Sequence, residues 1–177
     1  MPRSETSPAL TNGAANGAAN GAANADARLR GDPAFAGFRL EHSPLYLLVR
    51  AAGRYSLDMG NALKASGMDL LSWRALMTVN EASPSSVSEI AERSVTRLST
   101  MTRVVQRLEK KKMVKLSRRP SDARVTEVRL TPRGVQALEG VRGIASTIYN
   151  QAVGQLSAAQ IETLNALMRQ IFVNLPD

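Results

Sequence analysis

The chain has 177 residues, of which 44% are hydrophobic and 4% aromatic, enough for one domain of ordinary size with a mostly aliphatic core. It contains no cysteine and a single histidine, which excludes disulfides, thiolate catalysis and cysteine zinc sites and leaves too few ligands for a histidine-rich metal site. The formal net charge is +8, and residues 86–134, with 13 basic and 5 acidic residues, hold the whole excess. Charge so localised favours a polyanionic partner, with nucleic acid ahead of an anionic membrane surface.

Residues 1–34 include a four-residue repeat of Asn, Gly and Ala that runs from Asn12 to Ala25. The repeat offers no large side chain to bury, so we expect a disordered low-complexity tail. No apolar run reaches the roughly 18 residues that a membrane-spanning helix needs, and the N-terminus lacks a signal-peptide pattern. We therefore expect a soluble, cytoplasmic protein.

Apolar residues at helical spacing predict a helix over residues 44–64 and a second over 71–80. The stripe of the first helix consists of Leu45, Leu48, Val49, Ala52, Tyr55 and Met59. The second helix is expected to end before the turn signal Ser83-Pro84-Ser85.

Ser86 and Glu89 match a capping box, which predicts a short helix that ends near Ser94. A few residues later a longer helix over 97–112 follows, for which Thr96 is the candidate N-cap and Ser94 its competitor. One stripe of this helix is apolar and consists of Leu98, Met101, Val105 and Leu108. The opposite face carries hydroxyls and cations, which suits base edges and phosphates, although a solvated cationic face is the alternative. Short helix, tight turn and polar-faced helix form the helix-turn-helix order.

After residue 112 the apolar period changes from helical to alternating, which predicts a small β-hairpin with a cationic turn over 118–124. Thr131 and Pro132 then start a helix that we expect to run to about Val153. A second capping box, at 157–160, opens a last helix with a wide apolar face. The core is too small to cover both flanking helices, so their faces predict a partner chain, most simply in a two-fold dimer.

The order of these elements, with the segments SVSEIAERS (86–94), STMTRVVQRLEKKKMV (99–114) and SDARVTEVRLTPRG (121–134), resembles the MarR family of bacterial transcriptional regulators. The resemblance implies a mainly α fold with a small β-hairpin, in which a winged helix-turn-helix is flanked by N- and C-terminal dimerisation helices. It places this domain at 35–177, with the winged core at 86–131 and the dimerisation helices at 44–64 and 132–175. The implied partner is double-stranded DNA with a palindromic operator, bound by a homodimer whose recognition helices lie about 34 Å apart.

In this family the recognition helix enters the major groove and the wing arginine enters the adjacent minor groove. That implies base contacts from Ser99, Thr100, Thr102 and Arg103 and a minor-groove contact from Arg124, with Asp122 orienting the wing. The phosphate contacts expected from charge and position are Arg107, Lys115, Arg118 and Arg119.

Two positions depart from the family pattern. Lys112 stands where the family usually has a glycine, at a place where the chain can need positive φ, so either the lysine costs about 1 kcal/mol or the turn is built differently. Arg97 and Leu98 replace smaller polar residues, so the register of the base contacts is open.

Family members often bind a small molecule between the dimer helices and the DNA-binding lobe. The candidate ligand residues here are the aromatic and cationic side chains of the first two helices, namely His42, Tyr46, Arg50, Arg54, Trp73 and Arg74. Together they suit a small aromatic acid or an aromatic acyl-CoA, although each has a structural alternative in core, interface or solvated surface. No cofactor and no thiol switch is expected.

Three alternatives stay open at the level of sequence. The chain is a ligand-responsive repressor, a regulator that acts without a ligand, or an architectural protein that binds DNA without sequence preference. An enzyme is not expected, since the sequence offers no convincing nucleophile with its base, carboxylate pair or metal set.

Overall fold

A computed structural model gives the structure of the protein for residues 26 and 29–175. These residues belong to two compact units that divide between Arg54 and Tyr55. Most of the segment for which we predict a disordered tail, residues 1–34, lies outside the described part of the chain. None of the helices in the described part is both long enough and apolar enough to cross a membrane.

The helices and strands follow the order predicted from the sequence. In chain order they are a 3-10 helix Leu40–His42, α1 Pro44–Lys64, α2 Leu70–Glu81, β1 Ser85–Ser86, α3 Val87–Arg93, α4 Leu98–Lys110, β2 Val114–Arg119, β3 Asp122–Leu130, α5 Pro132–Val153 and α6 Ala158–Asn174. The predicted fold class, mainly helical with a small antiparallel sheet, is confirmed.

Two helices begin with the capping boxes predicted from the sequence. The Ser86 hydroxyl accepts a hydrogen bond from the Glu89 backbone N–H at 3.2 Å, and the Glu89 carboxylate accepts one from the Ser86 N–H at 2.6 Å. Ser157 and Gln160 make the same reciprocal pair at the start of α6. These bonds satisfy N–H groups that a helix start otherwise leaves unpaired, so local sequence fixes where both helices begin.

The start of α5 is also as predicted. Thr131 Oγ1 accepts a hydrogen bond from the Gly134 N–H at 3.1 Å, and Pro132 is the first helical residue. A Cβ at Gly134 would lie 2.0 Å from the carbonyl oxygen of Met113, which no real side chain tolerates. The close approach of α5 to the segment after α4 therefore requires glycine.

The sheet has the strand order β1-β3-β2, with both pairs antiparallel. Strand β1 is not predicted from the sequence. Ser85 and Ser86 pair with β3 through their backbones and show no alternation of apolar and polar residues. The predicted turn over 118–124 is wrong in length, since the strands leave only Pro120 and Ser121 between them. A register shift near the end of β2 lets the pairing continue into the cationic segment, so most of those residues are extended strand.

One hydrophobic core lies within the second unit and joins the C-terminal part of α1, α2, α3, α4, α5 and the sheet. Its large, fully buried side chains are Met59, Leu63, Leu76, Val79, Ile90, Met101, Val105, Leu108, Val128, Leu138 and Val141. Leu98, which we expect on the buried stripe of α4, is 52% exposed. It is the first residue of the helix, and the buried stripe begins only at Met101, one turn further on.

Helices α1 and α6 carry apolar side chains that stay uncovered. In α1, Met59 is buried, whereas Leu45 and Val49 are exposed. No residue of α6 is buried within the described chain, and Phe172 is 66% exposed. Most helical stability in proteins comes from packing of an apolar face. Within the described chain, no surface covers the apolar face of this 17-residue helix.

Candidate nucleic-acid interface

The helix-turn-helix is formed by α3, a turn over residues 94–97 and α4. Neither predicted N-cap of α4 is correct, because Arg97 occupies that position and makes no side-chain capping bond. Val95 adopts φ +48° and the Thr96 N–H donates to the Ala91 carbonyl at 3.0 Å, so both residues belong to the turn. The Ser94 hydroxyl is buried and has no hydrogen-bond partner among residues 26 and 29–175. The first N–H groups of α4 are therefore left without a capping side chain.

The polar face of α4 lies opposite the core, as its sequence predicts. Ser99 and Arg103 are exposed, and Thr100 and Thr102 are half-buried. The Thr102 hydroxyl donates to the Leu98 carbonyl at 2.8 Å, so its remaining capacity is as an acceptor. An acceptor at that position suits the amino group of adenine or cytosine.

The wing carries a highly exposed arginine of the predicted interface. The Arg124 side chain is 91% exposed and is held by Asp122, with Nε 3.0 Å from Oδ1 and Nη2 3.2 Å from Oδ2. The Arg124 backbone N–H also donates to Asp122 Oδ1 at 3.0 Å. These hydrogen bonds from Arg124 lower the pKa of Asp122 below its ordinary value, so the carboxylate is charged at neutral pH. The predicted pairing of an orienting acid with a projecting arginine is therefore present in the fold.

Cations on the strands of the wing are partly compensated by a buried carboxylate. Glu127 is 7% exposed, accepts a hydrogen bond from Arg119 Nε at 2.9 Å and lies 3.6 Å from Arg129. Lys115 is exposed opposite Arg129 in the strand register, and Arg118 donates to the Ala123 carbonyl of β3 at 3.4 Å. Of the predicted phosphate contacts in the wing, Lys115 and Arg118 are exposed, and Arg119 is tied to the sheet.

Arg107 has partners that the sequence analysis missed. Its Nη2 group forms an ion pair with Asp69 and donates to the Ser72 hydroxyl at 3.0 Å. Asp69 also caps α2 by accepting from the Ser72 N–H at 2.8 Å. An Asp three residues ahead of a Ser at a helix start is a capping signal, so Asp69 could have been found, but its pairing with Arg107 could not.

A groove of about 330 Å³ separates α4 from the wing. Its lining includes Leu98, Thr102, Gln106, Arg124 and Val125. The groove brings together a residue predicted for the major groove, Thr102, and the residue predicted for the minor groove, Arg124. They belong to one continuous surface of the second unit.

The candidate ligand residues fall in both units. In the first, the Arg50 guanidinium carbon lies 5.7 Å from the centre of the Tyr46 ring, a cation–π contact, and both His42 and Arg54 are exposed. In the second, Trp73 and Arg74 are half-buried on α2.

Tyr55 adds an aromatic group to the second set, which the sequence analysis assigned only to an apolar stripe. Burial raises the pKa of the Tyr55 hydroxyl, and the charge of Arg74 acts in the opposite direction. Among the described residues, no group of three or more acidic or histidine side chains is placed to hold a metal ion.

The fold and this surface define a winged helix-turn-helix protein. Residues 69–126 match the model of the MarR family, and the chain belongs to this family of transcriptional regulators.

Two relatives extend the match beyond those residues. The HTH-type transcriptional repressor IacR of Pseudomonas putida is 37% identical over 144 residues, which cover 81% of this chain and 86% of IacR. The crystal structure of a probable transcriptional regulator from Pseudomonas aeruginosa is 30% identical, covers 75% of this chain and 99% of its own, and has a TM-score of 0.63.

A second similar solved structure is that of BpsR of Bordetella bronchiseptica, whose DNA binding is regulated by 6-hydroxynicotinic acid. It is 24% identical, covers 71% of this chain and 96% of its own, and has a TM-score of 0.63. At this identity the likeness shows the shared fold.

Proposed function

We propose that the protein is a homodimeric, sequence-specific transcriptional repressor that binds a palindromic operator and is released from it by a small aromatic ligand. The observation that carries the proposal is the surface made by the polar face of α4 and the projecting Arg124 of the wing. A helix with exposed hydroxyls and an arginine suits the major groove, and an exposed arginine beside it suits a narrow minor groove.

The contacts follow from this placement. The base contacts that we propose are Ser99, Thr100, Thr102 and Arg103, with Arg124 in the minor groove and Asp122 as its support. Lys115 and Arg118 supply phosphate contacts, since both are exposed cations beside this surface. Arg119 and Arg107 stay candidates for the same role, although each is already paired with a carboxylate.

A second copy of the chain is the proposed cover for α6. The apolar side chains left exposed on α5, on α6 and just after α6 include Tyr149, Leu164, Leu167, Phe172, Val173 and Leu175. Exposed apolar faces of this kind mark interaction sites, and a two-fold dimer would also present two recognition helices to two half-sites.

The dimer can be tested at α6. We expect Leu167→Asp and Phe172→Asp to shift the protein to monomers in sedimentation equilibrium and to weaken operator binding. Asn165→Asp adds the same charge at an exposed polar position of the same helix and should leave the dimer intact. Dimers of unchanged stability in both apolar variants would remove α6 from the interface.

The proposed ligand is a small aromatic acid or an aromatic acyl-CoA. Support comes from the aromatic and cationic side chains of α1 and α2, among them Tyr46, Arg50, Trp73 and Arg74. An aromatic acid needs a ring contact and a cation for its carboxylate, and these residue types supply both. The regulation of BpsR by 6-hydroxynicotinic acid makes aromatic acids the first class to try.

Fluorescence anisotropy tests the whole proposal. DNA from upstream of the protein's own gene and a scrambled duplex are titrated at one salt concentration, because affinity for DNA depends steeply on salt. We expect the upstream DNA to bind roughly a thousandfold or more tightly than the scrambled duplex. Aromatic acids and their CoA thioesters are then added to the complex, and release by one class identifies the ligand.

Two other outcomes correspond to the alternatives. Selective binding that no compound releases would make the protein a regulator without a ligand switch. Equal binding to both duplexes would make it an architectural DNA-binding protein.

A further inference from the structure

The segment between α1 and α2 contacts the C-terminal end of the recognition helix, α4, at two points. Arg107 of α4 pairs with Asp69, the N-cap of α2. One turn later, the Lys111 ammonium donates to the Gly67 carbonyl at 3.0 Å. We call these two contacts the connector clamp.

The carboxylate of Asp69 serves two elements at once. Its Oδ1 atom caps α2 by accepting from the Ser72 N–H, while its Oδ2 atom pairs with Arg107. The same Arg107 nitrogen donates to the Ser72 hydroxyl, and Ser72 is buried. One guanidinium therefore contacts both the cap and the first turn of α2, which ties the last turn of the recognition helix to the start of α2, while the buried core between the two helices supplies most of their packing.

The second contact of the clamp depends on an unusual backbone. Gly67 adopts φ +64°, the left-handed region that glycine enters without strain. In this conformation the chain leaves α1, and the Gly67 carbonyl accepts from Lys111. Both contacts therefore lie on the short segment through which the chain passes from α1 to α2.

We propose that the connector clamp is a positioning device that sets the angle of the recognition helix, with Asp69 and Arg107 as its positioning residues. The inference rests on the proposed DNA-binding function of α4 and deepens it. A change in the segment between α1 and α2 reaches α4 through these two contacts, so they supply a physical link from that segment to the DNA-reading surface. In this inference Arg107, which its charge makes a candidate phosphate contact, acts instead through the position of α4.

The competing role for Arg107 is a phosphate contact, and the two roles predict opposite signs for one substitution. Asp69→Asn keeps the α2 cap, because asparagine caps helices as well as aspartate does. It also removes one negative charge and frees Arg107. If Arg107 binds phosphate, DNA affinity rises; if Asp69 positions the helix, DNA affinity falls.

The experiment compares Asp69→Asn, Arg107→Met and the double variant with the full-length protein on operator DNA over a range of salt concentrations. Both side chains are about half exposed, 53% for Asp69 and 48% for Arg107, so the pair adds little to global stability and the variants stay folded. We expect each single variant to lose affinity roughly 2- to 30-fold, the span of measured positioning effects. The double variant should lose no more than the weaker single, with the salt slope unchanged.

A matched control isolates the effect of charge alone. Glu139→Gln removes one exposed carboxylate from α5 and should leave operator affinity unchanged or slightly raised. A rise in affinity for Asp69→Asn, with a salt slope that falls by about 0.9 in Arg107→Met, would overturn the clamp and make Arg107 a phosphate contact. Additive losses in the double variant would overturn it as well.

A measurement without DNA separates this inference from the proposed function. Urea unfolding and amide hydrogen exchange of the wild type, Asp69→Asn, Arg107→Met and the double variant report whether Asp69 and Arg107 are coupled. We expect urea midpoints that differ little, because the pair is half exposed, and faster exchange in the last turn of α4 in each single variant with no further increase in the double variant. Exchange that stays unchanged in the single variants, or that increases additively in the double variant, would overturn the clamp even for a protein without operator selectivity. Missing selectivity with intact coupling would count against the proposed function alone.

Discussion

Asp122 holds Arg124 through three hydrogen bonds, two from the guanidinium and one from the backbone N–H. The arginine is nevertheless 91% exposed, so its charge projects from the wing while part of its side-chain freedom is already lost. A long cationic side chain that is ordered before binding loses less entropy when it enters a groove. The pair therefore orders the part of the wing that we propose to meet DNA.

Replacement of Arg124 by alanine should weaken operator binding without unfolding the protein. We expect a loss on the order of 1–3 kcal/mol in binding free energy, because one charged contact to a narrow groove is removed. Anisotropy gives the affinity, and thermal melting should show an unchanged transition because the side chain covers no core residue. Wild-type affinity in Arg124→Ala would show that the wing assignment is wrong.

Arg103 lies on the exposed face of α4 and should read a base. We expect Arg103→Ala to lose on the order of 1–3 kcal/mol on the operator and to relax sequence preference at one base pair of each half-site. Titrations against operators with single base-pair changes measure this. A uniform loss on every sequence, with a shallower salt slope, would instead make Arg103 a phosphate contact.

Local chemistry made much of the fold predictable from the sequence. The capping boxes at Ser86 and Ser157 and the Thr131 cap depend on residues three apart, and the structure confirms them. Each of these caps is decided by side chains and backbone within one turn of the chain. At Lys112 the family pattern left two possibilities, a strained lysine or a different turn, and its φ of +58° shows that the lysine adopts the left-handed conformation.

The features that escaped prediction depend on contacts between distant parts of the chain or on a backbone conformation that its residue type does not favour. Arg107 and Asp69 are 38 positions apart, and only the packing of α4 on α2 brings them together. The first residue of α4 was misplaced because the turn at Val95 takes a left-handed conformation that a β-branched residue rarely adopts. The short turn of the wing required the register shift in the strand pairing, which no local pattern signals.

The capping box of α3 should make stability depend on pH. Hydrogen bonds from the Ser86 backbone N–H and hydroxyl lower the pKa of Glu89 below its ordinary value of 4.5. The ionised carboxylate is therefore favoured by folding, so its contribution is complete above the unfolded pKa and disappears as pH falls through the folded pKa. Glu89→Gln keeps a side chain that can reach the Ser86 N–H but cannot ionise.

Urea unfolding of the wild type and Glu89→Gln between about pH 3 and pH 7 tests this prediction. The stability difference should be largest near neutral pH and vanish at the acidic end. Ser86→Ala is the companion variant, with an expected loss of about 0.5–2 kcal/mol at neutral pH from the missing cap. A difference between wild type and Glu89→Gln that does not change with pH would exclude the ionised carboxylate as the cause.

Lys112 lies just after α4 with φ +58°, a conformation that strains every residue with a Cβ. Its N–H donates to the Glu109 carbonyl at 2.7 Å and its carbonyl accepts from the Thr131 hydroxyl at 2.7 Å, so the turn is held in place from both sides. Replacing the lysine by glycine removes the strain and keeps these backbone bonds. We expect Lys112→Gly to stabilise the protein by about 1 kcal/mol.

Lys110→Gly is the matched control, since it removes the same charge two residues earlier, at the last residue of α4. There the backbone is helical, and glycine should destabilise the protein, by at most about 1 kcal/mol because the position is at the end of the helix. Urea midpoints of opposite sign would show that backbone conformation, not loss of a lysine, decides the outcome. Destabilisation by both variants would mean that the turn after α4 tolerates a side chain without strain, and the departure from the family glycine would then have no energetic consequence.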